Sequence, residues 1–213
     1  MNIARYIDHT LLKPDCSESD ILNLCKEAME CSFAAVCIPP YYVNTAKNLL
    51  SDSQVKVATV IGYPMGYAAT PAKVEEIKRA IGDGADELDV VINICAVKDG
   101  NWNYVENDIE STTMAAHLKG KVIKIIFETA LLSQEEIVRL CKICKSKGVD
   151  YVKTSTAINA PSITLELLEL LQDVLGSKVK IKVSGNIKTK KLARDLVTAG
   201  VNRIASAYSV KLV

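Results

Sequence analysis

Among the 213 residues of the chain, no run approaches 18 consecutive apolar positions, which argues against a membrane-spanning helix. The opening stretch, MNIARYIDHTLLKPD, lacks the apolar core of a secretory signal, so the expected compartment is the cytoplasm. No glycine-rich GxGxxG follows any strand-like segment, which disfavours a dinucleotide-binding sheet. There is no basic stretch interleaved with aromatics, and the net charge is only +1; both speak against a nucleic-acid partner. No linker or low-complexity tract divides the sequence, so residues 1–213 read as a single domain.

The cysteines are odd in number and scattered, at 16, 25, 31, 37, 95, 141 and 144. In a chain without an export signal, free thiols are expected rather than bridges. Cys141 and Cys144 form a CxxC, but it lies within the helical pattern QEEIVRLCKICKSKG and has no second pair. Packing of small side chains accounts for it better than a metal. Only two histidines are present. His117 sits on a polar helical stretch, and His9 reads as a residue that orients local structure.

What is present is an ordinary globular composition, 49% apolar and 24% charged, arranged as short β-rich segments alternating with longer helical ones. The strand-like segments are 4–10, 33–38, 55–62, 85–93, 121–128, 150–156, 178–185 and 202–208. Between them, SESDILNLCKEAMEC opens with a Ser-x-x-Asp start resembling a capping box. TPAKVEEIKRAIGDGA carries Pro71 near its first helical position, and Gly148 and Gly176 suit helix stops for the patterns at 133–148 and 162–176. Eight strands alternating with helices point to an α/β fold with a parallel sheet. At this length a closed (β/α)8 barrel outweighs an open sheet. After Tyr208 only SVKLV remains, too little for a full eighth helix. A shortened C-terminal helix is therefore expected, with the outer ring either incomplete at that point or covered by a partner chain, and a homo-oligomer, dimer or tetramer, is the expectation.

Two lysines lie inside apolar strand-like runs, Lys153 in VDYVKTST and Lys182 in KVKIKVSG. Burying an ammonium costs several kcal/mol, so lysine is rare in such places. In a barrel, alternate residues face the interior, and parity turns Glu87, Asp89, Val91, Asn93, Lys124, Ile126, Glu128, Tyr151, Lys153, Ser155, Lys180, Lys182 and Ser184 inward. Lys124 and Glu128 read as an interior ion pair. Two ammoniums roughly 6 Å apart at an effective dielectric near 20 repel by about 2.8 kcal/mol, or about two pKa units. A lysine depressed in that way is partly neutral and can attack a carbonyl. Taken singly, Lys180 and Lys182 fit an edge strand, Asp89 a cap and Cys37 a small buried side chain. Together, the five charges that neighbouring strands place in one shared interior, Asp89, Lys124, Glu128, Lys153 and Lys182, fit a hydrated catalytic cavity better than a core.

The segments IDHTLLKPD (7–15), AAVCIPPYYV (34–43), TVIGYPMG (59–66), GADELDVVINI (84–94), VIKIIFET (122–129), YVKTST (151–156), KIKVSG (180–185) and RIAS (203–206) together resemble the deoxyribose-phosphate aldolases, a family of class I aldolases built on a (β/α)8 barrel. The resemblance implies reversible cleavage of 2-deoxy-D-ribose 5-phosphate into acetaldehyde and D-glyceraldehyde 3-phosphate, with neither metal nor organic cofactor. It implies that Lys153 forms the imine, that Lys182 lowers the pKa of Lys153, and that Asp89 with Lys182 shuttles protons. Thr156, Asp8 and Thr10 would help bind substrate hydroxyls, and Cys37 would line the pocket. Gly185, Asn186, Lys188, Ala205 and Ser206 would face the phosphate. Here the chain departs from the family pattern. Asn186 replaces the second glycine of KASGG, and Ala157 replaces the glycine after KTST. Ala205, Ala207 and Tyr208 stand where RIGxSS has glycine and two serines. Weakened recognition of the 5-phosphate is expected. A Schiff-base aldolase acting on another aldehyde and a sugar-binding barrel without turnover are the competing readings.

Overall fold

The computed structural model describes residues 2–158 and 163–213. Eight parallel strands close into a barrel in sequence order. They are β1 (Ile7–Thr10), β2 (Ala35–Ile38), β3 (Lys56–Ile61), β4 (Glu87–Val91), β5 (Val122–Ile126), β6 (Tyr151–Lys153), β7 (Lys180–Ser184) and β8 (Arg203–Ser206). The outer layer is α1 (Glu18–Cys31), α2 (Val43–Leu49), α3 (Thr70–Gly82), α4 (Ile94–Lys98), α5 (Trp102–His117), α6 (Gln134–Lys147), α7 (Leu165–Leu175) and α8 (Lys190–Thr198). Each expected strand is present, shortened at one or both ends. Ser162, the first residue of the expected pattern at 162–176, lies outside the described residues.

Local chemistry sets where the crossovers begin and end. The expected capping box forms at α1: Asp20 N–H donates to Ser17 Oγ (3.3 Å) and Ser17 N–H to Asp20 Oδ2 (2.8 Å). Ser133 and Glu136 repeat it at α6, which stops on Gly148 in the left-handed region. Gly66 (φ +73°) seats the loop after β3 on the end of β4, where a Cβ would lie 1.8 Å from the Ile92 carbonyl oxygen. Only glycine allows that approach.

Outward strand residues such as Ile123, Ile125, Val152, Ile181, Val183 and Ile204 pack with Leu140, Leu168 and Leu171 of the helices. Cys141 and Cys144 belong to the same core. Burial pushes the Cys141 thiol up to about 12, and the Cys144 thiol well above its ordinary value, which keeps both protonated and inert. After β8 the chain makes one 3-10 turn, Ser209–Leu212, whose Leu212 is fully buried. That turn stands where a complete barrel has its last helix. No helix among the described residues is long and apolar enough to cross a membrane.

Candidate active site

The inward-facing strand positions gather a closed ring of ion pairs. The Lys182 ammonium lies 2.7 Å from Asp89 Oδ2, and Asp89 Oδ1 accepts from Lys124 at 2.8 Å. Lys124 reaches Glu87 at 2.7 Å, Glu87 meets Arg203 at 2.9 Å, and Arg203 donates to Asp8 at 2.6 Å. Asp8 Oδ2, 2.5 Å from Lys182, closes the circuit. Five strands contribute: β1, β4, β5, β7 and β8. Lys153 of β6 hangs from the ring by a single contact, 2.8 Å to the same Asp89 oxygen that Lys182 touches.

Strand register explains the gathering. Asp89 pairs with Lys124, and Lys153, Lys182 and Arg203 occupy one register line across β6, β7 and β8. Lys124, Lys153, Lys182, Asp8 and Asp89 are all at most 1% exposed. Removing such charges from water costs several kcal/mol each, repaid only by close opposite charges. Alternation around the ring supplies them. Burial pulls the Lys182 ammonium toward neutrality, but Asp8 and Asp89 reverse the effect and raise its pKa. Lys124 is raised likewise by Asp89 and Glu87. Burial lifts the two aspartates, yet Arg203, Lys182 and Lys124 hold Asp8 well below the usual carboxylate range, and the three lysines do the same for Asp89. Four cations face three carboxylates, so the ring and Lys153 together carry one excess positive charge.

This arrangement corrects several sequence-based expectations. Lys124 does not pair with Glu128; its partners are Glu87 and Asp89, because their register brings them into reach first. The two site lysines do meet, and the Asp89 carboxylate touches both and offsets the repulsion expected between them. Lys180 has inward parity but sits at the exposed N-terminal rim over the Tyr151 ring. Asn93 has turned to cap α4 through its contact with Ala96 N–H. Asp8 is committed to Lys182 and Arg203, and the Thr10 hydroxyl donates to the Asp8 carbonyl. Arg203 and Glu87 complete the ring, and neither was singled out as a site residue. Parity alone turns Arg203 inward beside the outward Ile204, which was the available signal.

Toward the C-terminal mouth, Cys37 Sγ lies 3.9 Å from Asp89 Oδ2, and burial raises its thiol pKa. Thr156 is buried at the rim, its N–H and hydroxyl both donating to Glu128 Oε2 and its carbonyl accepting from Tyr63 OH at 3.1 Å. Ser184 Oγ donates to the Ser155 carbonyl at 2.5 Å and ties the ends of β6 and β7 together.

The residues at the loops after β7 and β8 form a separate group. Gly185 and Asn186 both have positive φ, +104° and +51°, and Ala157 has +70°. The two substituted positions thus keep a backbone that glycine adopts freely. Asparagine tolerates it, whereas alanine pays roughly 1–2 kcal/mol. The Ser206 hydroxyl donates to the Ile187 carbonyl (2.8 Å) and accepts from Tyr208 N–H (3.0 Å). Lys188 is exposed, its ammonium 5.5 Å from the Tyr208 ring. Among the described residues no group of three or more His, Cys, Asp or Glu side chains is placed to hold a metal ion.

A model of the DeoC/LacD family of aldolases matches residues 3–207. The deoxyribose-phosphate aldolase of Thermococcus kodakarensis is 47% identical over 213 residues, covering 99% of this chain and 95% of the relative. That of Thermococcus gammatolerans is 46% identical over 215 residues, with coverages of 100% and 96%. The tetrameric structure of deoxyribose phosphate aldolase from Aeropyrum pernix superposes with a TM-score of 0.91 at 29% identity, over 99% of this chain and 88% of that one.

Proposed function

Because the chain belongs to the DeoC/LacD family of aldolases, we propose that it cleaves 2-deoxy-D-ribose 5-phosphate reversibly to acetaldehyde and D-glyceraldehyde 3-phosphate through an imine on Lys153. The observation that carries the assignment is the shared oxygen: Asp89 Oδ2 holds both Lys153 and Lys182 within 2.8 Å.

Attack on a carbonyl needs a free amine. Lys182 and Lys124 each face two carboxylates and stay charged, whereas Lys153 faces one. Its proton passes to Asp89, whose low pKa makes it a transient carrier that returns the proton to the C1 oxygen of the adduct, which leaves as water. Lys153 Nζ then adds to C1, and loss of water gives the iminium. Removal of the C3 hydroxyl proton breaks the C2–C3 bond, and the electron pair flows into the iminium to leave an enamine and free D-glyceraldehyde 3-phosphate. Protonation of the enamine at C2 and hydrolysis release acetaldehyde. Lys182 supplies a fixed positive charge beside the reacting nitrogen, and Asp89 with Lys182 relays protons. Borohydride reduction in the presence of acetaldehyde, followed by mass mapping, tests this. Modification at Lys153 that disappears in Lys153→Leu supports it; modification at another lysine, or none, refutes it.

The phosphate end supports a second, narrower proposal. The Ser206 hydroxyl is already engaged, the chain has alanine at 205 and 207, and Lys188 is drawn to Tyr208. The 5-phosphate is then held by little more than one charge-assisted contact, which corresponds to about a 10- to 100-fold preference in kcat/KM over unphosphorylated deoxyribose. A preference above about 1,000-fold overturns it. Assembly with further copies of itself and a cytoplasmic location complete the proposal; the tetrameric Aeropyrum pernix relative supports the former, and light scattering of the purified protein tests it.

A further inference from the structure

Glu128 takes part in none of the ion pairs of the ring. Its side chain is 3% exposed, and no Lys, Arg or His among the described residues lies within ion-pair distance of it. Oε2 is occupied by the N–H and hydroxyl of Thr156. Oε1 is equally buried and accepts from no donor among the described residues. The residue holds this position in the left-handed backbone region (φ +56°, ψ +59°), which non-glycine residues rarely adopt. A buried carboxylate oxygen without a donor is a costly feature, and nothing among the described residues uses it.

Its place in the barrel suggests a use. Ile126 is in register with Lys153, and Phe127 and Thr129 donate their N–H groups to the carbonyls of Lys153 and Thr154. Those two bonds reach successive carbonyls, so the chain bulges after β5 and Glu128 stands level with Thr154, one residue beyond Lys153 toward the C-terminal mouth, about 3.3 Å along the strand direction. A sugar bound at C1 to Lys153 and extending toward the mouth brings its hydroxyl-bearing carbons past this carboxylate.

We propose that Glu128 Oε1 accepts a hydrogen bond from a hydroxyl on the hydroxyaldehyde half of the substrate, while Oε2 holds Thr156 beside it. The inference rests on Lys153 being the imine-forming residue. It assigns Glu128 to recognition of the half of the substrate that acetaldehyde lacks.

That distinction gives the test. Exchange of the methyl hydrogens of acetaldehyde for deuterium needs only the enamine on Lys153. Cleavage of 2-deoxy-D-ribose 5-phosphate needs the hydroxyaldehyde half as well. In Glu128→Gln, exchange stays within about twofold of wild type while kcat/KM for cleavage falls about 10- to 100-fold, mainly through KM. Glu128→Asp keeps the charge but withdraws the oxygen, and gives the same split should the glutamine variant fold poorly. Equal loss of both activities in the two variants assigns Glu128 a structural role and overturns the proposal; so does retention of both. Wild-type protein that neither exchanges acetaldehyde nor is trapped at Lys153 refutes the aldolase mechanism itself, a separate result.

Discussion

Asp89→Asn is the perturbation that reaches most of the site at once. The carboxylate accepts from three ammoniums, at 2.8, 2.8 and 2.7 Å. Each contact is a gross attraction of about 6 kcal/mol at an effective dielectric near 20, largely cancelled by the cost of burying the carboxylate. Removing it raises the excess charge of the ring and Lys153 together from one to two and leaves three buried cations short of a partner. Loss of one partner from a buried pair costs about 3–5 kcal/mol, which for a chain of this length lowers Tm by about 6–20 °C. The pH dependence makes the prediction sharper. The folded Asp89 carboxyl is held well below its ordinary value, Lys124 foremost among the groups that overcome its burial. Its stabilisation is therefore fully present above the unfolded value near 3.9 and is lost as pH falls below that value. The stability gap between wild type and Asp89→Asn should shrink by about 1.3 kcal/mol from pH 5 to pH 3. Urea titrations followed by circular dichroism at pH 7, 5 and 3 measure both quantities. A gap below about 1 kcal/mol at pH 7 would refute the hub role, and a gap that widens toward pH 3 would refute the sign of the linkage.

Lys153→Leu should behave in the opposite way, losing all aldehyde trapping while changing stability by less than about 1 kcal/mol, since it removes the excess charge and leaves Asp89 two partners; a collapsed urea midpoint would count against that charge balance. A second buried pair lies outside the barrel, where Lys73 reaches Asp108 at 2.7 Å and the Val91 carbonyl at 2.8 Å. Lys73→Met should cost about 3–5 kcal/mol in urea unfolding, and adding Asp108→Leu should recover part of it. No recovery in the double variant would show that the packing of the methionine, and not the stranded carboxylate, caused the loss.

Much of this architecture was legible because two periodicities are written separately into the chain. Apolar outward positions such as Val179, Ile181 and Val183 fix which side of β7 meets the helices, so Lys182 had to point inward. Parity specifies a face but neither a height nor a partner. Lys180 shares the parity of Lys182 yet ends at the solvated rim, because the strand begins there. Glu128 comes four residues after Lys124, beyond the end of β5 where the backbone turns left-handed, and the nearer carboxylates Glu87 and Asp89 on β4 won. The closing of the ring through Arg203 and Asp8 depends on β8 returning to β1. That contact spans 195 positions in sequence and leaves no local trace. Resemblance located Thr156 and Cys37, and parity turned Glu128 inward, but its contact with Thr156 became visible only from the backbone turn after β5.

The single surplus charge of the ring and Lys153 together bears on how little the site must rearrange during turnover. Lys153 as an ammonium and Lys153 as a protonated imine carry the same unit charge at nearly the same place. On the proposed mechanism Asp89 and its neighbours therefore meet identical electrostatics in the resting protein and in the activated adduct. Dipoles and counter-ions positioned for one are already positioned for the other, so the reorganisation that water would impose on forming a cation is avoided. The charge disappears only when the carbon–carbon bond breaks and the enamine forms. At that moment the ring and Lys153 together become neutral, with each remaining lysine and arginine of the ring matched by one carboxylate.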